Sequence, residues 1–273
     1  MNRKNETIYI LGHSSAEIQR LKAQAEILRP TTERLLLSAG IGPGMRVLDL
    51  GCGAGDVAML AAGLVGPSGS VVGIDRNPQV LAVARERAQT AGLRHVAFEE
   101  ASVEAFADEG LFDLVIGRYI LMYQSDPASL LRAAARLVKP GGAVAFHELG
   151  LHQECRSMPN VALFELIDKL IRMAFSFALP NYDVGDRLIQ HFWAAGLSQP
   201  KLFSETPIWG GADAPCGWLV DTLRSLLPQL YRMGVAVKDV LEVEALEEQL
   251  RDAVVATRSQ VSGPAQICAW ARV

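Results

Sequence analysis

The sequence predicts an α/β fold: a doubly wound, mostly parallel sheet of seven strands, Rossmann-like, with helices on both faces and an inserted helical lid. Three observations carry this. Short apolar runs alternate with helical stretches up to Gly150, which implies right-handed crossovers and a parallel sheet. The first run, RVLDL, is short, apolar and β-branched at Val47, as a strand buried on both faces should be. The last run, AQICAWARV, arrives after long helices and is expected to lie antiparallel to its neighbours.

Each element follows in order. HSSAEIQRLKAQAEILRP reads as a helix, with Ser14 and Glu17 at capping-box spacing. A second helix follows Pro30 and ends near Gly40, and GIGPGM turns into RVLDL. DVAMLAAGLV is helical, GPSGS is a turn, and VVGID is the second strand. NPQVLAVARERAQTAG has Asn77 as N-cap, Pro78 in the first turn and Gly92 at its end. VAFEE and FDLVIG are the third and fourth strands. DPASLLRAAARLVKPGG is a helix stopped by Pro140 and two glycines, and AVAFHEL is the fifth strand. Then the rhythm changes. NVALFELIDKLIRMAFSFA and DVGDRLIQHFWAAGL are helices, PKLFSETPIW is a strand, and two further helices precede AQICAWARV. The expected organisation is one domain over residues 1–273. Its core is 30–150, and a helical cap is formed by 1–29, 151–182 and 211–262. Insertions of this kind in open α/β sheets tend to cover the ligand edge.

Composition narrows the class. Half of the residues are hydrophobic, ample for a core, and a net charge of −4 does not favour a broad nucleic-acid footprint. The N-terminal stretch lacks a signal-peptide core, and no apolar run reaches membrane-spanning length. NVALFELIDKLIRMAFSFALP is broken by Glu165, Asp168, Lys169 and Arg172. Cys52, Cys155, Cys216 and Cys268 are scattered, which argues against a disulfide framework and a zinc site. The expectation is a cytoplasmic protein with a small-molecule substrate, without nucleic acid or membrane insertion, and with a homodimer as a possible assembly.

VLDLGCGAGDVA holds the chemistry. Its glycines, Gly51, Gly53 and Gly55, are spaced G-x-G-x-G and not as the nicotinamide fingerprint G-x-G-x-x-G. Asp49 is a poor neighbour for a pyrophosphate, and there is no Lys-Ser/Thr pair for a P-loop. Asp75 ends the second strand 20 residues past Gly55, where a carboxylate can accept from both hydroxyls of a ribose. The ligand expected is a ribose compound without a pyrophosphate and with a cationic or zwitterionic end, which S-adenosylmethionine satisfies. The competing reading is a tight strand–helix turn at the glycines and a helix N-terminal charge at Asp75.

VLDLGCGAGD, VVGIDRNP, FDLVIGRYIL and LVKPGGAVAFHE, in that order, resemble the motifs of class I S-adenosylmethionine-dependent methyltransferases. The likeness is to the ubiquinone/menaquinone-biosynthesis type that acts on small molecules, and it covers roughly residues 30–150. It implies that Gly51, Cys52 and Gly53 let backbone approach the methionine part of the cofactor, with Gly55 also among the cofactor-binding residues. Asp75 would bind the ribose, Arg76 would lie along the adenine, and Ser102 and Val103 would flank it. Many relatives have aspartate where Ser102 stands. Gly117 and Arg118 would border the methionine end, and Tyr9 and Gln24 would close over the cofactor from the N-terminal arm. The implied reaction is methyl transfer to a small, hydrophobic metabolite or natural product, at oxygen or carbon, with S-adenosylhomocysteine as product. The alternatives are a non-methylating enzyme that uses the same cofactor, such as a cyclase, and a non-catalytic subunit.

A hydroxyl or acidic carbon needs a base. His147, at the carboxyl end of the fifth strand beside Glu148, is the first candidate. His152 in the next loop and His13 on the N-terminal arm follow, while His191 reads as structural and His95 lies at the wrong end of the sheet. GRYILMYQ offers no ligating carboxylate, so no metal is expected. Phe164, Met173, Phe175, Phe177, Trp209, Trp218 and Tyr231 either line a pocket in the cap or pack its helices on the core.

Overall fold

The structure, a computed structural model, describes residues 15–107, 111–237 and 241–273. A seven-stranded sheet is its frame. The strands are β1 (Arg46–Leu50), β2 (Ser70–Asp75), β3 (Val96–Glu100), β4 (Phe112–Arg118), β5 (Val138–Gly150), β7 (Lys201–Glu205) and β10 (Ala265–Arg272). Their order is β3-β2-β1-β4-β5-β10-β7. The pairs from β3 to β5 are parallel, and β10 runs antiparallel to both β5 and β7, as its late arrival predicts.

The pleat divides the core into two layers, because neighbouring side chains on a strand point to opposite faces. Val47, Leu114, Ile116, Ala143 and Ala145 pack under α1 (Ser15–Ala39), α2 (Asp56–Val65) and α3 (Pro78–Thr90). Leu48, Leu50, Val115, Val144 and Phe146 face the other way. That second layer includes α4 (Pro127–Arg136), α5 (Ala162–Ala178), α6 (Leu188–Ala194), α7 (Cys216–Arg232) and α8 (Leu246–Thr257).

Four elements differ from expectation. The two N-terminal helices are one, α1, with Pro30 inside it. Pro30 removes the bond to the Glu26 carbonyl, but both residues are exposed, while Leu28, Thr32, Leu35 and Leu36 are buried and hold both halves on the sheet. PKLFSETPIW is two strands, because Pro207 interrupts the ladder. β7 stays in the main sheet, while β8 (Ile208–Gly210) joins β9 (Gln260–Ser262) and β6 (Ser157–Met158) in a small antiparallel sheet that the sequence did not suggest. DVGDRLIQHFWAAGL forms a 3-10 turn (Val184–Arg187) before a short α6. The helix after Asp126 stops at Arg136, so Pro140 and its glycines lie within β5. Among the described residues no helix is long and apolar enough to cross a membrane.

Candidate active site

The chain leaves β1 towards β2 on one side and returns as β4 on the other, so a crevice opens at the carboxyl ends of β1 and β4. The loop after β1 lines it. Gly53 has φ 52°, a left-handed conformation that glycine adopts without strain, and nothing stands within 4 Å of where a Cβ would be. At Gly51 a Cβ would meet Ile120 at 2.7 Å, so its absence lets the segment after β4 close on the loop. Asp75 ties the loop to β2: Oδ2 accepts from the Gly53 amide (3.0 Å) and Oδ1 from the Asn77 amide (2.9 Å). A carboxylate oxygen has two lone pairs, so acceptor capacity remains on both.

Gly55 and Gly117 are placed differently from the expectation. A Cβ on Gly55 would meet Phe98 at 2.8 Å and Ala84 at 3.1 Å, and one on Gly117 would meet Ile120 at 2.6 Å and Phe146 at 2.7 Å. Neither borders the cavities of the crevice. Their small size serves the packing of α3 and of the segment after β4.

Two cavities meet at Gly51, Asp75, Ile120 and Tyr123. The outer one, about 460 Å³, brings together Asp75, Arg76, Ser102 and Val103, as the sequence anticipated. The Ser102 hydroxyl accepts from the Ala105 amide (3.3 Å), and Arg76 makes an exposed ion pair with Glu104 (3.1 Å). The inner one, about 250 Å³, has Asp49, Cys52, Gly53 and Arg118 on its sheet side. Gln24 and Arg20 from α1, Asp168, Arg172 and Phe175 from α5, and Trp218 and Thr222 from α7 complete its walls. Of the other aromatic candidates, Phe164 and Trp209 line a small apolar side pocket, about 20 Å³, that shares Trp218 and Cys155 with the inner cavity. Phe177 and Tyr231 are exposed and Met173 is half-buried.

The sheet side of the inner cavity is electrostatically tense. Burial pushes the Asp49 carboxyl up to about 8, with the Arg118 charge only partly opposing it. Asp49 Oδ2 has no hydrogen-bond partner among the described residues. Arg118 donates to the Thr32 hydroxyl (3.3 Å). Burial, then the charges of Asp49 and Asp75, push the Cys52 thiol well above its usual value, so it stays protonated and is no nucleophile.

The histidines stand elsewhere than the sequence predicts. His147 is fully buried and does not border the cavity. Its strand parity is that of Ala143 and Ala145, so it points at α1 and not at the crevice. Nδ1 lies 3.1 Å from the Thr32 hydroxyl and Nε2 lies 2.9 Å from Gln266 Oε1. The Gln266 oxygen accepts, so Nε2 carries the proton. Gln266 also receives the Tyr119 hydroxyl. Burial and then the Arg118 charge hold the imidazole down at about 3. It is therefore a neutral structural group with both nitrogens engaged, not an available base. His152 is exposed, its ring 5.9 Å from that of Tyr182, and only its neighbours Leu151 and Gln153 reach the cavity. His13 and Tyr9 lie outside the described residues. His191 is half-buried on α6, and His95 Nε2 lies 3.1 Å from the Ala62 carbonyl. Among the described residues no group of three His, Cys, Asp or Glu is placed to hold a metal ion.

Three residues of consequence stand outside the set that the sequence predicts. Glu148, on the face opposite His147, accepts from the amides of Ile120 (3.0 Å) and Leu121 (2.8 Å) and fixes the segment after β4. Burial lifts its carboxyl to about 8 against those bonds. Asp168 and Arg172 bring an ion pair (2.8 Å) to the inner cavity. The signal was present: two opposite charges four residues apart on the face of an amphipathic helix that also carries Ile171 and Phe175.

A family profile described as a methyltransferase domain matches residues 41–175, about half of the chain. Residues 41–175 thus carry a methyltransferase domain of the class I S-adenosylmethionine-dependent type, with S-adenosylmethionine as its cofactor. The chain is 44% identical over 143 residues to a ubiquinone biosynthesis O-methyltransferase of Paracidovorax citrulli, covering 51% of this chain and 59% of that protein. It is 36% identical over 122 residues to an arsenite methyltransferase of Aquipseudomonas alcaligenes, covering 42% of this chain and 35% of that protein. The chain thus spans little more than half the length of the first relative and about a third of the second. Among solved structures, the YcgJ protein of Bacillus subtilis shares the fold, with a TM-score of 0.55 at 18% identity over 90% of this chain and 99% of that one.

Proposed function

We propose that the protein transfers a methyl group from S-adenosylmethionine to a small, hydrophobic metabolite, with oxygen or carbon as acceptor. The observation that carries this reading is Asp75, which stands where the two cavities meet with acceptor capacity to spare. The residues fit the cofactor. The carboxylate of Asp75 takes the ribose hydroxyls, and Ser102 and Val103 flank the adenine in the outer cavity. The orphaned Asp49 oxygen and the open backbone of Gly53 suit the cationic methionine end. Arg118 borders the same end and Arg76 lies along the adenine.

When bound, S-adenosylmethionine supplies an electrophilic methyl and carries its own leaving group. The chain's task is alignment, exclusion of water and handling of the acceptor's proton. α1, α5 and α7 act as the cap over the substrate, and the apolar wall of Ile171, Phe175 and Leu219 suits a hydrophobic acceptor. A small acceptor is also supported by the net charge of −4, which offers no steering field for nucleic acid. The four buried free cysteines support a reducing, cytoplasmic setting. The test is mass spectrometry of the enzyme with cofactor and a panel of phenols and quinols. A gain of one methyl with stoichiometric S-adenosylhomocysteine is expected. Cofactor binding with an isomerised, unmethylated product would replace the reading by the cyclase alternative.

A further inference from the structure

The inner cavity faces the cofactor crevice on one side and α5 on the other. With His147 sealed behind the sheet, the proton of a hydroxyl acceptor needs another destination. Among the described residues of the cap that border this cavity, Asp168 is the one carboxylate. It is 4% exposed, and its immediate partners are Arg172, whose Nε donates to Oδ2 at 2.8 Å, and the Cys155 thiol. Burial pulls the Arg172 guanidinium down, but the hydrogen bond and charge of Asp168 outweigh it and hold it above its usual value. Arg172 also reaches outward to Glu154 (3.2 Å), whose side chain is mostly in solvent. The pair is thus anchored from the water side and presented to the cavity from the other.

Stability does not explain such a pair. Arg172 keeps part of its side chain in water, but Asp168 is buried, and a buried carboxylate costs several kcal/mol where an apolar residue of like volume would serve the core as well or better. The walls beside it, Ile171, Phe175 and Leu219, are apolar. One buried carboxylate on an apolar cavity wall is the arrangement that a hydrogen-bond donor on a ligand would satisfy.

We propose that Asp168 is the group that receives the acceptor's proton, and that the substrate is therefore a hydroxylated compound, methylated on oxygen. This rests on the methyl-transfer reading and narrows it. The hydroxyl donates to a carboxylate oxygen of Asp168. As the acceptor oxygen's lone pair forms the new C–O bond, the O–H proton passes to Asp168, and the methyl's bond to sulfur breaks with its electron pair left on sulfur. A neutral ether, a neutral thioether and a protonated Asp168 result. The transfer runs downhill, because a hydroxyl under methylation becomes far more acidic than any carboxylic acid. Arg172 is the positioning residue that aims the Asp168 carboxylate.

The test uses p-nitrophenol, whose anion is yellow, with the S-adenosylhomocysteine-loaded protein at a pH where free probe is half ionised. Wild type should bind the neutral phenol and bleach the solution. Asp168→Asn, which takes from Arg172 its buried counter-charge and leaves only the exposed Glu154, should bind the anion and deepen the colour. A parallel calorimetric titration with S-adenosylhomocysteine should give affinities within about twofold for the two proteins. Should D168N not fold, the double variant Asp168→Leu with Arg172→Met removes both charges, and the bleaching should vanish. Equal colour changes in wild type and variant, or no saturable binding of the phenol to the loaded wild type, would overturn the assignment of Asp168. Failure of S-adenosylhomocysteine itself to bind would instead sink the methyl-transfer reading.

Discussion

Replacing His147 by glutamine separates a buried structural histidine from a catalytic one. The imidazole is held at about 3 in the folded protein, against an ordinary value of 6.5, first by burial and then by Arg118. Below pH 6.5 the unfolded chain takes up a proton at this residue while the folded chain does not. Stability contributed by the neutral imidazole is therefore present above pH 6.5 and lost as pH falls. The slope is about 1.4 kcal/mol per pH unit, so about 2 kcal/mol is lost between pH 6.5 and 5. His147→Gln keeps a donor for Gln266 and an acceptor for Thr32 but cannot titrate. Urea unfolding followed by circular dichroism at pH 7.5, 6 and 5 measures the gap between the two proteins. Whatever the variant costs at pH 7.5, the gap should close by about 2 kcal/mol at pH 5. Parallel stabilities across that range would refute the argument, since they would mean that His147 titrates alike in both states and is reachable by water.

Other outcomes follow from the same packing and charge. Glu148→Gln should be near neutral at pH 5 and stabilising above pH 8: the folded carboxyl, lifted to about 8 by burial, makes wild type lose stability as pH rises from its ordinary 4.5. Thermal melts at the two pH values check the crossover. Gly117→Ala should cost about 1–3 kcal/mol in denaturant unfolding, because its methyl would stand 2.6 Å from Ile120 and 2.7 Å from Phe146. Thr32→Val leaves the Arg118 donor and His147 Nδ1 without the hydroxyl they share and should cost about 1–3 kcal/mol by the same measurement.

Much of this was legible in the residues. Strands β1, β2, β4 and β5 announce themselves because a sheet buried on both faces needs apolar runs, while the edge strand β3 buries only Phe98; the loop after β1 shows because a tight turn needs Gly51 and Gly53. Asp75, Ser102 and Val103 fall together in the outer cavity since they follow neighbouring strands of one sheet edge. What failed was the third dimension. His147 was placed correctly along β5, but its face is set by the pleat, and its parity with Ala145 turns it towards α1. Pro30 looked like a break because propensity is local, whereas the burial of Leu28 and Leu35 on the sheet decides the helix. Asp168 and Arg172 looked like interruptions of an apolar run. Their meaning depends on α7 packing across from α5 and leaving a cavity between, which no local pattern contains.

The central claim is that the crevice between β1 and β4 holds S-adenosylmethionine by its ribose at Asp75. Isothermal titration of S-adenosylhomocysteine into wild type and Asp75→Ala measures it most directly. Loss of a charge-assisted bidentate contact is worth about 1.5–3 kcal/mol, which is about ten- to a hundredfold in affinity. Saturable binding by wild type and a weakening of that size in the variant are expected, with no binding of a nicotinamide dinucleotide by either. Unchanged affinity in Asp75→Ala, or a nicotinamide dinucleotide displacing the ligand from wild type, would contradict it.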